Sequence, residues 1–246
     1  GGNYKSYGPQ YPRGIQEGNG VPADGDLWVS YSVNKEDMWI SRIPVPVEIN
    51  ASAHADDDFS KNKSIAELTD WNIYSPVWAP VSLEDQWLKL QDKDPFDYAK
   101  VERKIPASKE LKVSFDLKAG QNDKGTLQIE FLDENGIACS RMELTDDGIF
   151  RLKGGSRFAN MMKYEAGKIY HVEAVLSTVD RNIQVYVDGK RVGLRMFYAP
   201  VAAVERIVFR TGVPRTFPTV DTPADQTYDL PNAGAQDPLA EYGIAN

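Results

Sequence analysis

The sequence predicts an all-β protein built around an antiparallel jelly-roll β-sandwich. Between Trp71 and Gly212, short runs alternate apolar and polar residues. Gly, Asn and Asp turns separate those runs at roughly 8–12-residue spacing, the rhythm of sandwiches and barrels. No segment keeps a helical period.

The 246 residues are 41% apolar and 11% aromatic, enough to bury a real core. Five Trp, twelve Tyr and nine Phe suit a pleated surface, on which flat side chains pack well.

The first segment, residues 1–47, is rich in Gly and Tyr and ends in a hairpin signature. Leu27–Val33 and Met38–Ile43 flank the turn-like Asn34-Lys35-Glu36-Asp37, and Pro44 and Pro46 end the pairing because proline cannot donate to a ladder. A lone hairpin is marginal in water, so it packs on the following domain or is left over from another one. Residues 48–70 are small and polar with an acidic run, and read as a linker or surface excursion. They contain two Asn-x-Ser sequons, at Asn50 and Asn62.

The body, residues 71–212, is a succession of strands. Leu111, Val113, Phe115 and Leu117 alternate with Lys112, Ser114, Asp116 and Lys118, the pattern of a strand with one wet face. Leu127, Ile129 and Phe131 repeat it, and Asp133-Glu134-Asn135-Gly136 turns tightly into Ile137–Leu144, since Asn-Gly tolerates positive φ. Asp146-Asp147-Gly148 leads into Ile149–Leu152; Ile169–Leu176 alternates again. Asp188-Gly189 joins Gln184–Val187 to Lys190–Val192, and Glu205–Arg210 closes the series. Residues 213–246, rich in Pro, Ala and Asp without periodicity, read as an irregular C-terminal tail.

Several function classes fall away. The net charge is −8, with Asp plus Glu at 36 against Lys plus Arg at 28, the wrong balance for neutralising nucleic-acid phosphate. No apolar run is long enough to span a membrane. The single cysteine, Cys139, excludes an intrachain disulfide and a Cys-based zinc site; within a strand it reads as a small buried hydrophobe. His54 and His171 are too few for a His-based zinc site. Calcium is the cofactor left open, through Asp56-Asp57-Asp58 or through Asp92, Asp94 and Asp97, although neither run matches an EF-hand loop.

Three stretches carry a resemblance: Tyr98-Ala99-Lys100-Val101-Glu102-Arg103-Lys104, the strand Lys112–Lys118, and Gly167-Lys168-Ile169-Tyr170-His171-Val172-Glu173 continuing to Asn182-Ile183-Gln184-Val185-Tyr186-Val187-Asp188-Gly189-Lys190. Together they resemble the concanavalin-like lectin/glucanase sandwiches, with the G-x-x-Y-x-V strand and V-Y-V-D-G hairpin of laminin-G-like modules. The N-terminal run Gly25–Pro44 is similar to the closing blade of sialidase-like (BNR-repeat) β-propellers, which precede jelly-roll modules in bacterial polysaccharide-degrading proteins. The pair implies a secreted, periplasmic or cell-surface setting, a polysaccharide or oligosaccharide partner, and a place within a larger polypeptide.

The chemistry implied is weaker than the fold. The Glu-x-Asp-x-(x)-Glu strand by which sandwich glucanases project three carboxylates is missing. Ser41-Arg42-Ile43-Pro44 is similar to the sialidase Arg-Ile-Pro motif, whose arginine binds a substrate carboxylate, but the Asp-box repeats of a sialidase propeller are missing too. The candidate residues lie on the wet faces of the strands: Asp116, Glu130, Glu143, His171 and Glu173, with Tyr186, Arg206 and Arg210. If these strands share one concave sheet, they make a sugar-binding or hydrolytic surface; otherwise they are solvated strand faces. Of Trp28, Trp39, Trp71, Trp78 and Trp87, one is allowed an exposed stacking role. The expected function is a carbohydrate-associated accessory sandwich of an exported glycan-degrading protein. A glycoside hydrolase or lyase with its cleft on the concave sheet, or a protein-docking module, are the alternatives.

Overall fold

The structure is a computed structural model and describes residues 9–15, 27–33, 37–43, 55–94, 98–212 and 237–245. The chain divides into two compact units, Gly1–Asn50 with Arg215–Ala235, and Ala51–Pro214 with Gln236–Asn246.

In the first unit, β1 (Pro9–Ile15), β2 (Leu27–Val33) and β3 (Asp37–Ile43) form an antiparallel sheet in that order. The expected hairpin is β2–β3, pairing Ser30 with Ile40 and Tyr31 with Trp39. The Gly/Tyr-rich stretch before it supplies β1, a third strand that its Pro and Gly content hid. Met38 and Ile40 lie exposed on one face of β3, while Tyr31 on β2 hydrogen-bonds Ser41 across the ladder at 2.8 Å.

The second unit is the expected sandwich. Its strands are β4 (Trp71–Tyr74), β5 (Val81–Glu84), β6 (Trp87–Asp92), β7 (Lys100–Ser108), β8 (Glu110–Ala119), β9 (Leu127–Leu132), β10 (Ala138–Leu144) and β11 (Ile149–Gly154). They continue as β12 (Arg157–Lys163), β13 (Ile169–Ser177), β14 (Asn182–Val187), β15 (Lys190–Met196), β16 (Val204–Thr211) and β17 (Ala240–Ala245). Two seven-stranded antiparallel sheets result. We call the sheet ordered β12-β11-β10-β9-β16-β7-β4 the front sheet and that ordered β15-β14-β13-β8-β17-β6-β5 the back sheet.

Turn chemistry fixes the hairpins as the sequence predicts. Gly136 has φ 80°, and the Asp133 carboxylate accepts the backbone N–H groups of Asn135 and Ile137 at 2.9 and 2.8 Å. Asp188 and Gly189 both have positive φ, the type I′ pattern of a two-residue hairpin. One face of every long strand then points inward. Leu127, Ile129, Phe131, Met142, Leu152 and Phe209 of the front sheet meet Leu88, Leu90, Leu117, Leu176, Ile183 and Tyr242 of the back sheet in one buried core. Phe115 and Phe209 meet edge to face across it, centroids 5.1 Å apart.

Two segments differ from their sequence reading. From residue 55 the presumed excursion is packed: Phe59 and Leu68 are core residues, and short 3-10 turns span Phe59–Lys61 and Ile65–Glu67. The residues before it, and the Asn50 sequon, lie outside those described. The tail read as irregular ends in β17, a strand in the interior of the back sheet between β8 and β6. A six-residue strand with a central Gly, following a Pro-rich stretch, leaves little periodicity to detect, and its partners lie more than a hundred residues away.

Candidate functional site

The eight predicted residues divide evenly between opposite surfaces of the sandwich. Asp116 (β8), His171 and Glu173 (β13) and Tyr186 (β14) lie on the outer face of the back sheet. Glu130 (β9), Glu143 (β10), Arg206 and Arg210 (β16) lie on the outer face of the front sheet. Strand alternation identified the wet faces; it could not tell which sheet each strand joins, because the chain changes sheet between β8 and β9, β12 and β13, and β15 and β16.

The back face is an ordinary solvated lattice. His171 Nδ1 meets the Asp116 carboxylate at 2.8 Å, with the imidazole 54% exposed, and Lys112 Nζ meets Glu173 at 2.7 Å, with the lysine 65% exposed. Pairs this wet contribute about 0–1 kcal/mol. Tyr186 donates to Gln184 on its own strand.

The front face is more sheltered. Its register sets a continuous row across all seven strands: Asn160, Arg151, Glu143, Gln128, Arg210, Lys100 and Tyr74, each directly opposite the next. Gln128 is fully buried and Glu143 nearly so. The Glu143 carboxylate accepts from Gln128 Nε2 on one oxygen and from Arg151 on the other. One strand position along, Arg141 Nε donates to Glu130 at 2.7 Å, both side chains under 20% exposed. Glu102 takes Lys100 Nζ at 2.8 Å and Arg206 Nη1 at 3.3 Å, and Arg206 also donates to the Glu134 carbonyl at 2.7 Å. Removing one partner of the Arg141–Glu130 pair costs up to about 3–5 kcal/mol, because the survivor stays charged in a poor solvent, whereas the Arg151, Lys100 and Arg206 side chains are about a third exposed and their pairs are screened by water.

Aromatic rings border the row on both sides. The Arg151 guanidinium lies 4.3 Å from the Phe158 ring centroid, Lys153 Nζ lies 4.4 Å from that of Tyr198, and Arg210 lies 5.2 Å from that of Tyr98, which itself packs on Tyr74 at 5.4 Å. Three buried polar atoms of this surface, Gln128 Oε1, Arg151 Nε and Tyr198 Oη, have no protein partner. Burial also pushes the Tyr198 phenol up to about 12.

Sequence reading missed Gln128, Arg141, Arg151, Lys153, Phe158 and Tyr198. Arg141 was hidden by register: the Asn135-Gly136 turn alone sets Ser140 opposite Glu130, and the bulge at Cys139 moves Arg141 there instead. Tyr198 was not: it stands in the crossing between the sheets and reaches β10 through a backbone bond to the Cys139 carbonyl.

The acidic runs have structural uses. Asp57 accepts from Arg103 Nε at 2.8 Å, Asp58 caps the 3-10 turn through Ser60 N, and Asp92 accepts from Asp94 N. Among the described residues, no group of three or more His, Cys, Asp or Glu is placed to hold a metal ion. Asp97, His54 and the Arg42 side chain lie outside the described residues. A cavity of about 440 Å³ opens between the sheets beside Phe59, Trp71, Leu111, Phe115 and Phe209. Its walls combine these apolar side chains with the polar and charged Asp56, Asp57, Arg103, Ser108 and Lys112.

Fold and front face together define an antiparallel β-sandwich with a sheltered polar sheet surface. The family model for sialidase-like CBM (carbohydrate-binding module) domains matches residues 71–226, and the chain belongs to this family. It is similar over its whole length to a solved sialidase, with 90% identity and a TM-score of 0.89, and spans 23% of that longer chain. Two more distant structures share the fold. One is reported for endo-acting O-glycanases by which prominent members of the human gut microbiota initiate mucin breakdown (14% identity, TM-score 0.54, 76% of this chain and 94% of that one). The other is the apo Crh5 transglycosylase (11% identity, TM-score 0.55, 80% of this chain and 85% of that one). No curated protein sequence gives a significant match. No helix among the described residues is long and apolar enough to cross a membrane.

Proposed function

We propose that the sandwich is a non-catalytic glycan-binding module of an exported, bacterial-type sialidase-like protein, and that the front sheet carries the binding surface. The observation that carries this reading is the seven-strand row that ends in Tyr74 and is bordered by Phe158, Tyr198 and Tyr98. Sugars present hydroxyls and flat C–H faces, and a site for them needs convergent donors and acceptors beside aromatic rings. The partly exposed Arg151 and Lys153 side chains offer N–H donors beside those rings. Of the predicted residues, Glu130, Glu143, Arg206 and Arg210 belong to this reading; Asp116, His171, Glu173 and Tyr186 do not. The carboxylates of Glu130 and Glu143 hold Arg141 and Arg151 in place, and their role is positioning. The three-stranded sheet of the first unit is read as one blade of a BNR-type propeller in the parent protein, in keeping with the 23% coverage of the solved sialidase.

Glycan-array binding of the chain, run with an activity screen on the same glycans, tests the proposal. Lys153→Ala and Tyr98→Ala leave both buried ion pairs intact and are expected to weaken binding by about tenfold or more, a loss of about 1.4 kcal/mol. His171→Ala and Glu173→Ala, on the opposite surface, are expected to leave it unchanged. Loss confined to the back-face variants moves the site to that sheet, and turnover by this chain alone overturns the non-catalytic reading.

A further inference from the structure

β12 ends the front sheet and β15 ends the back sheet, and the two edges meet along one side of the sandwich. Glycines let them approach. A Cβ on Gly193 of β15 would lie 2.6 Å from Met161 Sδ of β12, and one on Gly154 of β11 would lie 2.7 Å from Arg195 Cδ of β15. Gly154 is the register partner of Arg157, so Arg157 and Arg195 stand at the same end of this seam. Gly193 meets Met161 farther along, and Lys190 and Arg191 continue from it toward Lys163.

Every charged residue of these two strands is a cation: Arg157, Lys163, Lys190, Arg191 and Arg195. All are exposed, and none forms an ion pair among the described residues. β11, beside β12, also lacks a carboxylate. In a chain of net charge −8 this is a local reversal of sign. Charge on an edge strand guards it against pairing with another sheet. Here two such edges converge, so like charges are brought together with no carboxylate between them, a repulsion that a bound polyanion would relieve.

At roughly 3.3 Å per residue, Arg157 and Lys163 lie about 20 Å apart along β12, too far for one small anion to span. Carboxylates begin again at the Lys163 end, with Asp147 in the turn before β11 and Asp188 in that before β15. A duplex nucleic acid, broad and charged all round, would overlap those acids; a single polysaccharide chain would not. We propose that the seam binds an acidic polysaccharide, one chain bearing carboxylate or sulfate groups along its length. The saccharide backbone rests on the glycan-binding reading above; the surface is a separate one.

Affinity electrophoresis of the whole chain, in gels holding polygalacturonate, dextran sulfate or neutral dextran, tests the seam. Retardation is expected with one or both acidic polymers, which separates carboxylate from sulfate recognition, and not with neutral dextran. The triple variant Lys163→Gln, Lys190→Gln, Arg191→Gln, changed only at exposed side chains, is expected to bind about tenfold or more weakly. Raising NaCl from about 0.15 M to about 1 M shortens the screening length from roughly 8 Å to 3 Å and is expected to abolish retardation. Lys153→Ala and Tyr98→Ala, on the front face, leave the seam intact. Retardation lost in those variants and kept in the triple one would put acidic-glycan binding on the front face and overturn the seam. It is overturned as well if neither acidic polymer retards the chain, if neutral dextran does so equally, if the triple variant binds unchanged, or if duplex DNA binds as tightly as either polymer.

Discussion

Asp92 ends β6 with its carboxyl turned into protein. Loss of hydration is the main effect on it, and the nearby Asp94 and Asp237 add to it, raising its pKa to about 6 against hydrogen bonds from Thr211 and from Asp94 N. Because the folded state holds this proton more tightly than the unfolded chain does, the stability it lends is complete below the unfolded value near 3.8 and is lost as pH rises through about 6. At about 1.4 kcal/mol per unit, the loss is on the order of 2–3 kcal/mol by neutral pH. Asp92→Asn is therefore expected to raise the urea midpoint at pH 7.5 and to change it little at pH 4. Equal shifts at both pH values would show that desolvation of the charge is not the cause.

Cys139 tells a similar story at one atom. It is the bulged residue between Ala138 and Ser140 on β10, fully buried, and burial pushes its thiol up to about 12. Thiolate is the reactive form, so iodoacetamide is expected to label the protein only when denaturant opens it. Labelling at a free-thiol rate in the folded protein would contradict this packing. The sequence placed this thiol in a strand, and the buried hydrophobe expected there is what the structure contains.

Elements were legible where local chemistry decides them. Asn135-Gly136 and Asp188-Gly189 announced two hairpins, and strict alternation announced β8, β9 and β13. Strands whose partners are remote escaped: β4 and β5 are four residues each among prolines, and β17 has a Gly at its centre. Gly125 shows how such a strand is held. Its φ is +67°, and a Cβ there would lie 2.4 Å from the Ala240 Cβ, so the loop before β9 closes directly onto the start of β17. Gly125→Ala meets two penalties, left-handed backbone at about 1–2 kcal/mol and overpacking at about 1–3 kcal/mol. We expect a lower unfolding temperature, with faster hydrogen exchange at Glu241 and Tyr242 than at core amides of the front sheet. Uniform exchange across both sheets would show that β17 is not the element loosened.

At the scale of the whole molecule, four of the eight residues read from the sequence lie on the candidate surface, and most of that surface was not legible. Glu130, Glu143, Arg206 and Arg210 share one surface because β9, β10 and β16 are neighbours, a fact of topology that alternation does not encode. Their companions are set by register: Gln128 opposite Glu143, Arg151 beyond it, Lys100 beyond Arg210. The contrast in shelter between the two outer faces decides which one merits attention, and shelter arises only when seven strands are assembled side by side.

The re-entry of the chain into the sandwich also bears on how the protein is made. Synthesis proceeds from the N-terminus at about 5–20 residues per second, so some 6–25 seconds separate the emergence of Ala119 from that of Ala245. During that interval β6 and β8 wait with open edges. Closure coincides with arrival of the last described strand, so an interrupted translation product keeps an unpaired, apolar-floored edge that proteases and chaperones recognise. The position of β17 thus makes closure of the back sheet wait for a strand far downstream of the two it joins.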